Sequence, residues 1–504
     1  MLLKIRKLFY CLSVIFISFC VYLSSYFVLN GEVHLTNDIG RDCLLLQELD
    51  LKKIVLIGAR ANTQNVFHGP LWTYLNYPAY LVGHGDPVIV AWFWILLEIF
   101  FLATTFLIVR KILNSTSALL SCSLLAVGLI SRSNDIFGQL APFYVMPFFL
   151  FTIFMYIQSK KLRFLLLHFL ALGMMIQFNV GVGGLFALLS IILSVVVIYK
   201  NRRWKHLLAL LVLPVLLINF IIFDLRHQLK MSKALLGIGT SHAFLTSSEW
   251  IGNRLSNLIT MQIRSADGIL IPLIIFVLVM LFTWLEIKNK SKQTLFFLIL
   301  IFYYFGYILV SFSNKGLMLI DHVYLLVPLS ALWLAALIKG KYKYVFVILT
   351  LILILVNFVY ATNYLVKAKG QFIGKSPDSW VALKTVAQRV INEQKGKEFG
   401  YFVYSPDAYA YQQRYAMLYA FSSTQAKSLE YVKRETTYLI VAPRPKNNLY
   451  MNEDWWIKNA AKITNVPAEK LLFPSGYKIE KFNLTEAEQK IPFDPNIELG
   501  LTFR

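Results

Sequence analysis

The sequence predicts a polytopic α-helical membrane protein that carries a small α/β domain at its C-terminal end. Three observations predict it. The 504 residues are 57% hydrophobic and only 15% charged, with a mean hydropathy of +0.60, far from a water-soluble globular chain. Apolar runs of about 20 residues, the length that crosses a bilayer as a helix, recur along the first 364 positions. From about residue 365 the pattern changes to charges, turn residues and ordinary amphipathic spacing.

The elements follow in order. Lys4, Arg6 and Lys7 precede span one, about 8–29. Its apolar stretch is too long for a typical signal peptide and no small-residue cleavage site follows, so it reads as a retained span. Span two, about 87–109, ends at Arg110 and Lys111, and span three is about 115–131. Span four, about 140–158, ends at Lys160, Lys161 and Arg163. Spans five and six, about 162–178 and 181–199, form a hairpin that ends at Lys200, Arg202, Arg203 and Lys205. Span seven, about 206–223, leads into a polar loop. Span eight, about 268–287, ends at Lys288, Lys290 and Lys292. Spans nine and ten, about 294–312 and 321–338, end at Lys339, Lys341 and Lys343, and span eleven is about 344–364. Every second loop is basic. Positive residues stay on the cytoplasmic side, so about eleven spans place the N-terminus inside and the C-terminus outside.

That distribution also accounts for the net charge of +22. Much of the excess lies in short loops between spans, and no basic helix with interleaved aromatics occurs in a soluble segment, which argues against nucleic acid. Cys11, Cys20 and Cys122 lie in apolar runs and Cys43 in a loop; their spacing indicates neither a disulfide framework nor a zinc site.

In the tail, residues 365–504, Ser376-Pro377-Asp378 reads as a helix start. Trp380, Leu383, Ala387, Val390 and Ile391 recur at helical spacing up to Lys395-Gly396. Phe399–Tyr404, Thr437–Val441 and Tyr477–Phe482 read as strands. The tail contains no GxGxxG or Walker loop, so a nucleotide site is not indicated.

The segment between spans one and two, about 30–86, is the long early loop, and it carries the chemistry-bearing residues. A helix is predicted to start near Thr36 or Asn37 as cap. Ile39, Cys43, Leu46 and Leu49 form its apolar stripe. Asp38, Arg41 and Asp42, at i, i+3 and i+4, share another face, with Asp38 in the first turn, where the helix dipole favours an ionised carboxylate. An ordinary helix cap with a weak local ion pair is the plain alternative. A second helix is predicted from Gly69-Pro70, with Trp72, Tyr74, Tyr77 and Tyr80 as interfacial anchors.

These two segments resemble the GT-C superfamily of membrane glycosyltransferases, in the protein O-mannosyltransferase and aminoarabinose-transferase branch. The likeness rests on Asp38-x-x-Arg41-Asp42, then Gly69-Pro70-Leu71-Trp72-Thr73-Tyr74. It extends to Phe223-Asp224-Leu225-Arg226-His227 after span seven and to Asp321-His322-Val323-Tyr324 entering span ten. One departure matters: the mannosyl and aminoarabinosyl transferases usually have Asp-Glu at the first site, whereas Ile39 follows Asp38 here. That leaves the sugar and acceptor open.

The resemblance implies transfer of a sugar from a polyprenyl-phosphate donor to a glycan, lipid or protein hydroxyl at the outer face of the membrane. A carboxylate would take the hydroxyl proton as general base, a role that falls to Asp38, supported by Arg41, Asp42 and His68. Fixed cations would stabilise the leaving phosphate; the candidates are Arg226, His227, Arg264 and His322, with Tyr324 beside them. Gln177 and Asn179, at the turn between spans five and six, are candidate sugar or acceptor contacts, against an interhelical hydrogen-bonding role. No ligand spacing supports a metal site; a divalent ion remains open and none is taken as obligatory. Two rival functions stand beside this one. A transporter or flippase of lipid-linked glycans would use charges inside the spans, of which Glu98 is the clearest. A polymerase or ligase would use the 224–267 loop, with Arg226, Arg254 and Arg264.

Overall fold

The computed structural model describes residues 2–61, 63–132, 135–237, 247–261, 268–313, 318–394, 397–406, 409–422, 428–444 and 452–499. All eleven apolar segments are helical. The first is α1 (Leu2–Ser24). Two loop helices follow, α2 (Asn37–Lys52) and α3 (Leu71–Val82). Then come α4 (Pro87–Ile112), α5 (Ser115–Ile130), α6 (Pro142–Ser159), α7 (Leu162–Phe178) and α8 (Val180–Lys200). Among the described residues, seven helices are long and apolar enough to cross a membrane. An eighth arises if Trp204–Leu216 and Ile218–Arg226 (α9), bent by 53°, count as one span. Pro214 lies in the first half of that pair, where its missing N–H and its ring oppose continuous α-helix, and the turns before it are 3-10.

The remaining apolar helices are α10 (Leu270–Lys288), α11 (Thr294–Ser311), the single turn α12 (Ile320–Val323), α13 (Leu326–Lys339) and α14 (Lys343–Gln371). Span ten is thus broken after Val323, and α14 runs seven residues past the expected end of the membrane domain. Three apolar helices, α5, α7 and α13, are shorter than a full span. In α5 and α13 almost every side chain is buried, as expected of helices that are apolar on all sides. α5 packs against α1, α4, α13 and α14 and forms the centre of the bundle.

The C-terminal part forms α15 (Trp380–Gln394), α16 (Tyr411–Ser422) and a five-stranded sheet of order β2-β1-β3-β5-β4. The strands are β1 (Phe399–Tyr404), β2 (Ser428–Glu430), β3 (Thr436–Val441), β4 (Glu469–Leu472) and β5 (Lys478–Asn483). β1 pairs in parallel with β2 and β3, while β5 runs antiparallel to β3 and β4. The first helix starts three residues later than Ser376-Pro377 predicts. Residues 33–35 pair with 378–380 instead: Leu35 N–H donates to the Asp378 carbonyl at 2.8 Å and Trp380 N–H to that of Val33 at 3.1 Å. Buried Glu32 reinforces the junction by accepting from Val33 N at 3.0 Å and Gly374 N at 3.3 Å, and from the Ser379 hydroxyl.

The tail is therefore docked on the first loop. α16 packs along α2, and Asn37 Oδ1 accepts from Tyr411 N at 2.8 Å. Arg60 donates to the Tyr409 hydroxyl at 3.0 Å. Asp86, which caps α4 through Val88 N, also accepts from the Tyr419 hydroxyl at 3.1 Å.

Candidate functional site

The site grows from the first turn of α2. Thr36 caps the helix, its hydroxyl accepting from Ile39 N at 3.4 Å. Ile39, Cys43, Leu46 and Leu49 are all buried, and this stripe fixes the rotation of the helix. Asp38, Arg41 and Asp42 then fall together on another face. Arg41 Nη1 lies 2.9 Å from Asp38 Oδ1, and Nη2 lies 3.4 Å from Asp42 Oδ1. The side chains differ sharply in exposure: Arg41 is 9% exposed, Asp42 3%, and Asp38 58%. Asp38 is the accessible carboxylate of the cluster. Arg41 Nε is buried and has no partner among the described residues. Burial pushes the Asp42 carboxyl up to about 7; Arg41 opposes the shift, the Asp38 charge adds to it, and the Gly138 N–H opposes it again.

His68 is fixed from both sides. Gly69 N–H donates to the Gln177 carbonyl at 2.7 Å, and a Cβ on Gly69 would overlap the Gln177 side chain, so glycine permits this approach. Val180 N–H donates to His68 Nδ1 at 3.3 Å, which makes Nδ1 an acceptor and leaves the proton on Nε2. Burial pushes this imidazole down to about 3, with the charges of Arg41 and His322 adding to the effect. It is a neutral hydrogen-bonding group. Val180 opens α8, and Asn179 caps that helix by accepting from Val182 N at 3.2 Å. His322 reaches the same helix start: its Nε2 lies 3.7 Å from where a Cβ on Gly181 would be. Its backbone carbonyl accepts from the Tyr307 hydroxyl at 2.7 Å. Arg41, His68 and His322 thus converge near the N-terminal turn of α8, with Asp38 at the exposed edge.

Other expected residues take other places. The Gln177 amide donates to the Leu216 carbonyl and to Asn219 Oδ1, both at 2.7 Å. Asn179 is the α8 cap and donates to the Gln139 carbonyl at 3.4 Å. Arg226 and His227 are exposed at the end of α9. Asp224 is not the partner of Arg226, because its carboxylate accepts from Met231 N at 2.8 Å, Ser232 N at 3.0 Å and the Ser232 hydroxyl. The His227 ring stacks on Phe223 at 4.2 Å, and Phe223 packs on Phe67 at 5.3 Å, next to His68. Tyr324 stacks on Phe143 at 4.7 Å, with Arg132 over its ring. Arg264 lies outside the described residues.

Of the aromatics on α3, Trp72 is buried. Tyr74 and Tyr77 tie α3 to the loop, the first through Val55 N and O at 3.0 Å, the second through Asp50 at 2.7 Å. Among the described residues, no three His, Cys, Asp or Glu side chains gather as a metal site. The residues missed by sequence reasoning are Gly138, Asn37 as a receptor for Tyr411, and the His34–Asp135 pair. A backbone N–H and contacts across 100 or more positions leave no local signal.

No protein-family model matches the chain, and no curated protein sequence matches it. Solved structures do. A crystal structure of ArnT from Cupriavidus metallidurans bound to undecaprenyl phosphate matches with a TM-score of 0.60 at 12% identity, covering 94% of this chain and 98% of that one. The apo structure of the same protein matches at 0.60 and 11% identity, covering 93% and 97%. The chain shares that fold over nearly its whole length, the C-terminal domain included. It is a multi-pass membrane protein with the fold of those ArnT structures.

Proposed function

We propose that the chain is a glycosyltransferase that moves a sugar from a polyprenyl-phosphate donor to a hydroxyl acceptor at the outer face of the membrane. One observation carries this reading: an exposed carboxylate, Asp38, is held against a buried guanidinium, Arg41, beside two imidazoles at a helix start. The ArnT structure with undecaprenyl phosphate supports the donor class, since the folds agree. The alternating basic loops support an inside N-terminus and an outside C-terminal domain.

The chemistry balances as a single displacement. The acceptor oxygen forms a bond to the anomeric carbon as the bond from that carbon to the donor phosphate oxygen breaks. The acceptor proton passes to Asp38 as general base, and polyprenyl phosphate leaves with the bonding electrons. Negative charge grows on the phosphate. In this reading Arg41 and His322 stabilise it, and the amide dipoles opening α8 add the same polarity. Neutral His68 supplies an N–H without competing for the acceptor proton. Asp42 holds Arg41. Arg226 and His227, exposed on α9, serve the looser task of drawing an anionic headgroup towards the site. Gln177 and Asn179 act by holding the helices that frame it.

The test is transfer by purified protein given polyprenyl-phosphate sugars and hydroxyl acceptors, with Asp38→Asn alongside. Loss of a general base costs on the order of 10²–10⁴ in rate; an Asp38→Asn variant with undiminished transfer removes the mechanism. Movement of lipid-linked sugar across vesicles without transfer would favour a transporter. The described structure gives that reading little, because Glu98 is bonded to Ser24 at 3.0 Å, away from any relay. Nor does Arg254 lend the ligase reading an active cation: its guanidinium donates to the Ser311 carbonyl at 3.2 Å.

A further inference from the structure

A cavity of about 400 Å³ lies at the C-terminal end of α5, between α5, α13 and α14. That volume is within the range of about 300–1,000 Å³ typical of small-ligand sites. Its character changes along its length. Leu124, Val127, Val327 and Ala361 line it with hydrocarbon, while His34, Arg132 and Asp135 gather past the end of α5. Such a division suits a molecule with a lipid part and a polar head.

The charges narrow the head group. His34 Nδ1 lies 2.9 Å from Asp135 Oδ1, and Nε2 lies 3.7 Å from Asp378 Oδ2. Arg132 Nη1 lies 3.4 Å from Asp135 Oδ2. Burial opposes a charge on His34, but hydrogen bonds to Asp135 and Asp378 outweigh it and raise the imidazole to about 9. Two cations and two carboxylates therefore cancel. A phosphate entering here would meet the Asp135 carboxylate and cations already paired with carboxylates, whereas an uncharged polyol can donate to Asp135 and accept from His34 and Arg132. Tyr324 lines the same cavity, with its hydroxyl buried out of reach of it.

We propose that this cavity holds the uncharged, hydroxyl-bearing head of a lipid-anchored acceptor. The proposal rests on the transferase reading. Two short connections link it to the candidate site. α12 carries His322 at the start of α8, and Tyr324 follows two residues later in the cavity wall. On the other side, His34 precedes Asp38 by four residues. Donor and acceptor would then be held on opposite sides of α12, with the Tyr324 ring forming part of the acceptor's wall.

Gly128 offers a clean test. It lines the cavity, and a Cβ built there meets nothing within 4 Å, so Gly128→Leu adds bulk to empty space instead of displacing packed atoms. Full-length protein in phosphatidylcholine nanodiscs, purified without sugar detergents, would be titrated with dodecyl glucoside, dodecyl phosphate and undecaprenyl phosphate. The expected result is glucoside binding by the wild type, weakened tenfold or more by Gly128→Leu, with undecaprenyl phosphate binding unchanged in Gly128→Leu. Preference for dodecyl phosphate, absence of glucoside binding, or glucoside binding unaffected by Gly128→Leu would overturn the proposal. Binding of the glucoside but not of undecaprenyl phosphate would support the cavity while overturning the transferase reading.

Discussion

Replacing Gly40 with alanine tests whether the C-terminal domain sets the position of Asp38, the proposed general base. Gly40 lies two residues after Asp38, where α2 meets α16. A Cβ there would sit 2.6 Å from both N and Cα of Gln412 and 2.9 Å from the Tyr411 carbonyl carbon. These are backbone atoms, so no rotamer change relieves the overlap. Carbon atoms rest about 3.5–4.0 Å apart, and one helix must move from the other by about 1 Å. Alanine's helix preference returns about 1 kcal/mol, while overpacking costs about 1–3 kcal/mol. The net loss of stability lies between zero and about 2 kcal/mol, too small to unfold the protein. The geometric effect is larger, because a misplacement of about 1 Å at a reacting group can cost about 10² in rate. Gly40→Ala is therefore expected to lower transfer about 10- to 100-fold with a modest fall in Tm. Gly184→Ala, where a Cβ meets nothing within 4 Å, is the control and should retain both. Full transfer by Gly40→Ala at an unchanged Tm would refute the reasoning: α16 would not hold α2 in its working position.

Four further outcomes follow from the same geometry. Asn37→Ala removes the acceptor of Tyr411 N–H and should cost about 1 kcal/mol, with a smaller loss of transfer than Gly40→Ala, read by Tm and rate together. Gly69→Ala should lose about 1–3 kcal/mol, because the Gln177 amide it would displace bridges to the bent helix; expression and thermal unfolding report it. The folded state holds the Asp42 proton more tightly than the unfolded chain does, so its contribution to stability is full below about pH 3.8 and is lost as pH rises to about 7; Asp42→Asn should flatten that part of the Tm–pH curve. His34 also binds its proton more tightly when folded, so its contribution is full below pH 6.5 and is lost as pH rises through about 9. His34→Gln should remove that alkaline decline, and an unchanged decline would mean that the His34–Asp135–Asp378 junction does not hold the first loop.

What was legible in the sequence follows the range of the forces. The long apolar helices were readable because a bilayer imposes length and polarity on a spanning segment locally. The central strands β1 and β3 were readable because their side chains are almost wholly buried, which demands continuous apolar runs. β2 and β4 were missed. They sit at the two edges of the sheet and are three and four residues long, and β4 alternates between half-buried and exposed; one neighbour constrains a strand less than two. Asp38, Arg41 and Asp42 were readable as one helical face, but their convergence with His68 and His322 was not, since it passes through the start of α8.

Gln177 shows why polar residues in such a chain mislead. Placed at a turn between apolar helices, it reads as a contact for sugar hydroxyls. The structure gives it a different duty that the sequence also contained. Pro214 interrupts the following helix, the first half ends at Leu216, and a helix end leaves carbonyls without partners. In a bilayer no water satisfies them, and the Gln177 amide does so at 2.7 Å. Polar side chains near a broken helix should thus be matched first to its freed backbone groups, and only the remainder offered to a ligand. By that rule the Gln177 amide nitrogen and Asn179 are accounted for by the frame, while Gln177 Oε1 stays buried without a partner among the described residues. Arg41 is not fully accounted for either: two carboxylates hold its terminal nitrogens, its Nε stays buried and unpartnered among the described residues, and such a group is costly unless something else arrives to bond it. Arg41 is thus one of several buried groups, with Gln177 Oε1 and the Tyr324 hydroxyl, that the described residues leave without a full set of partners.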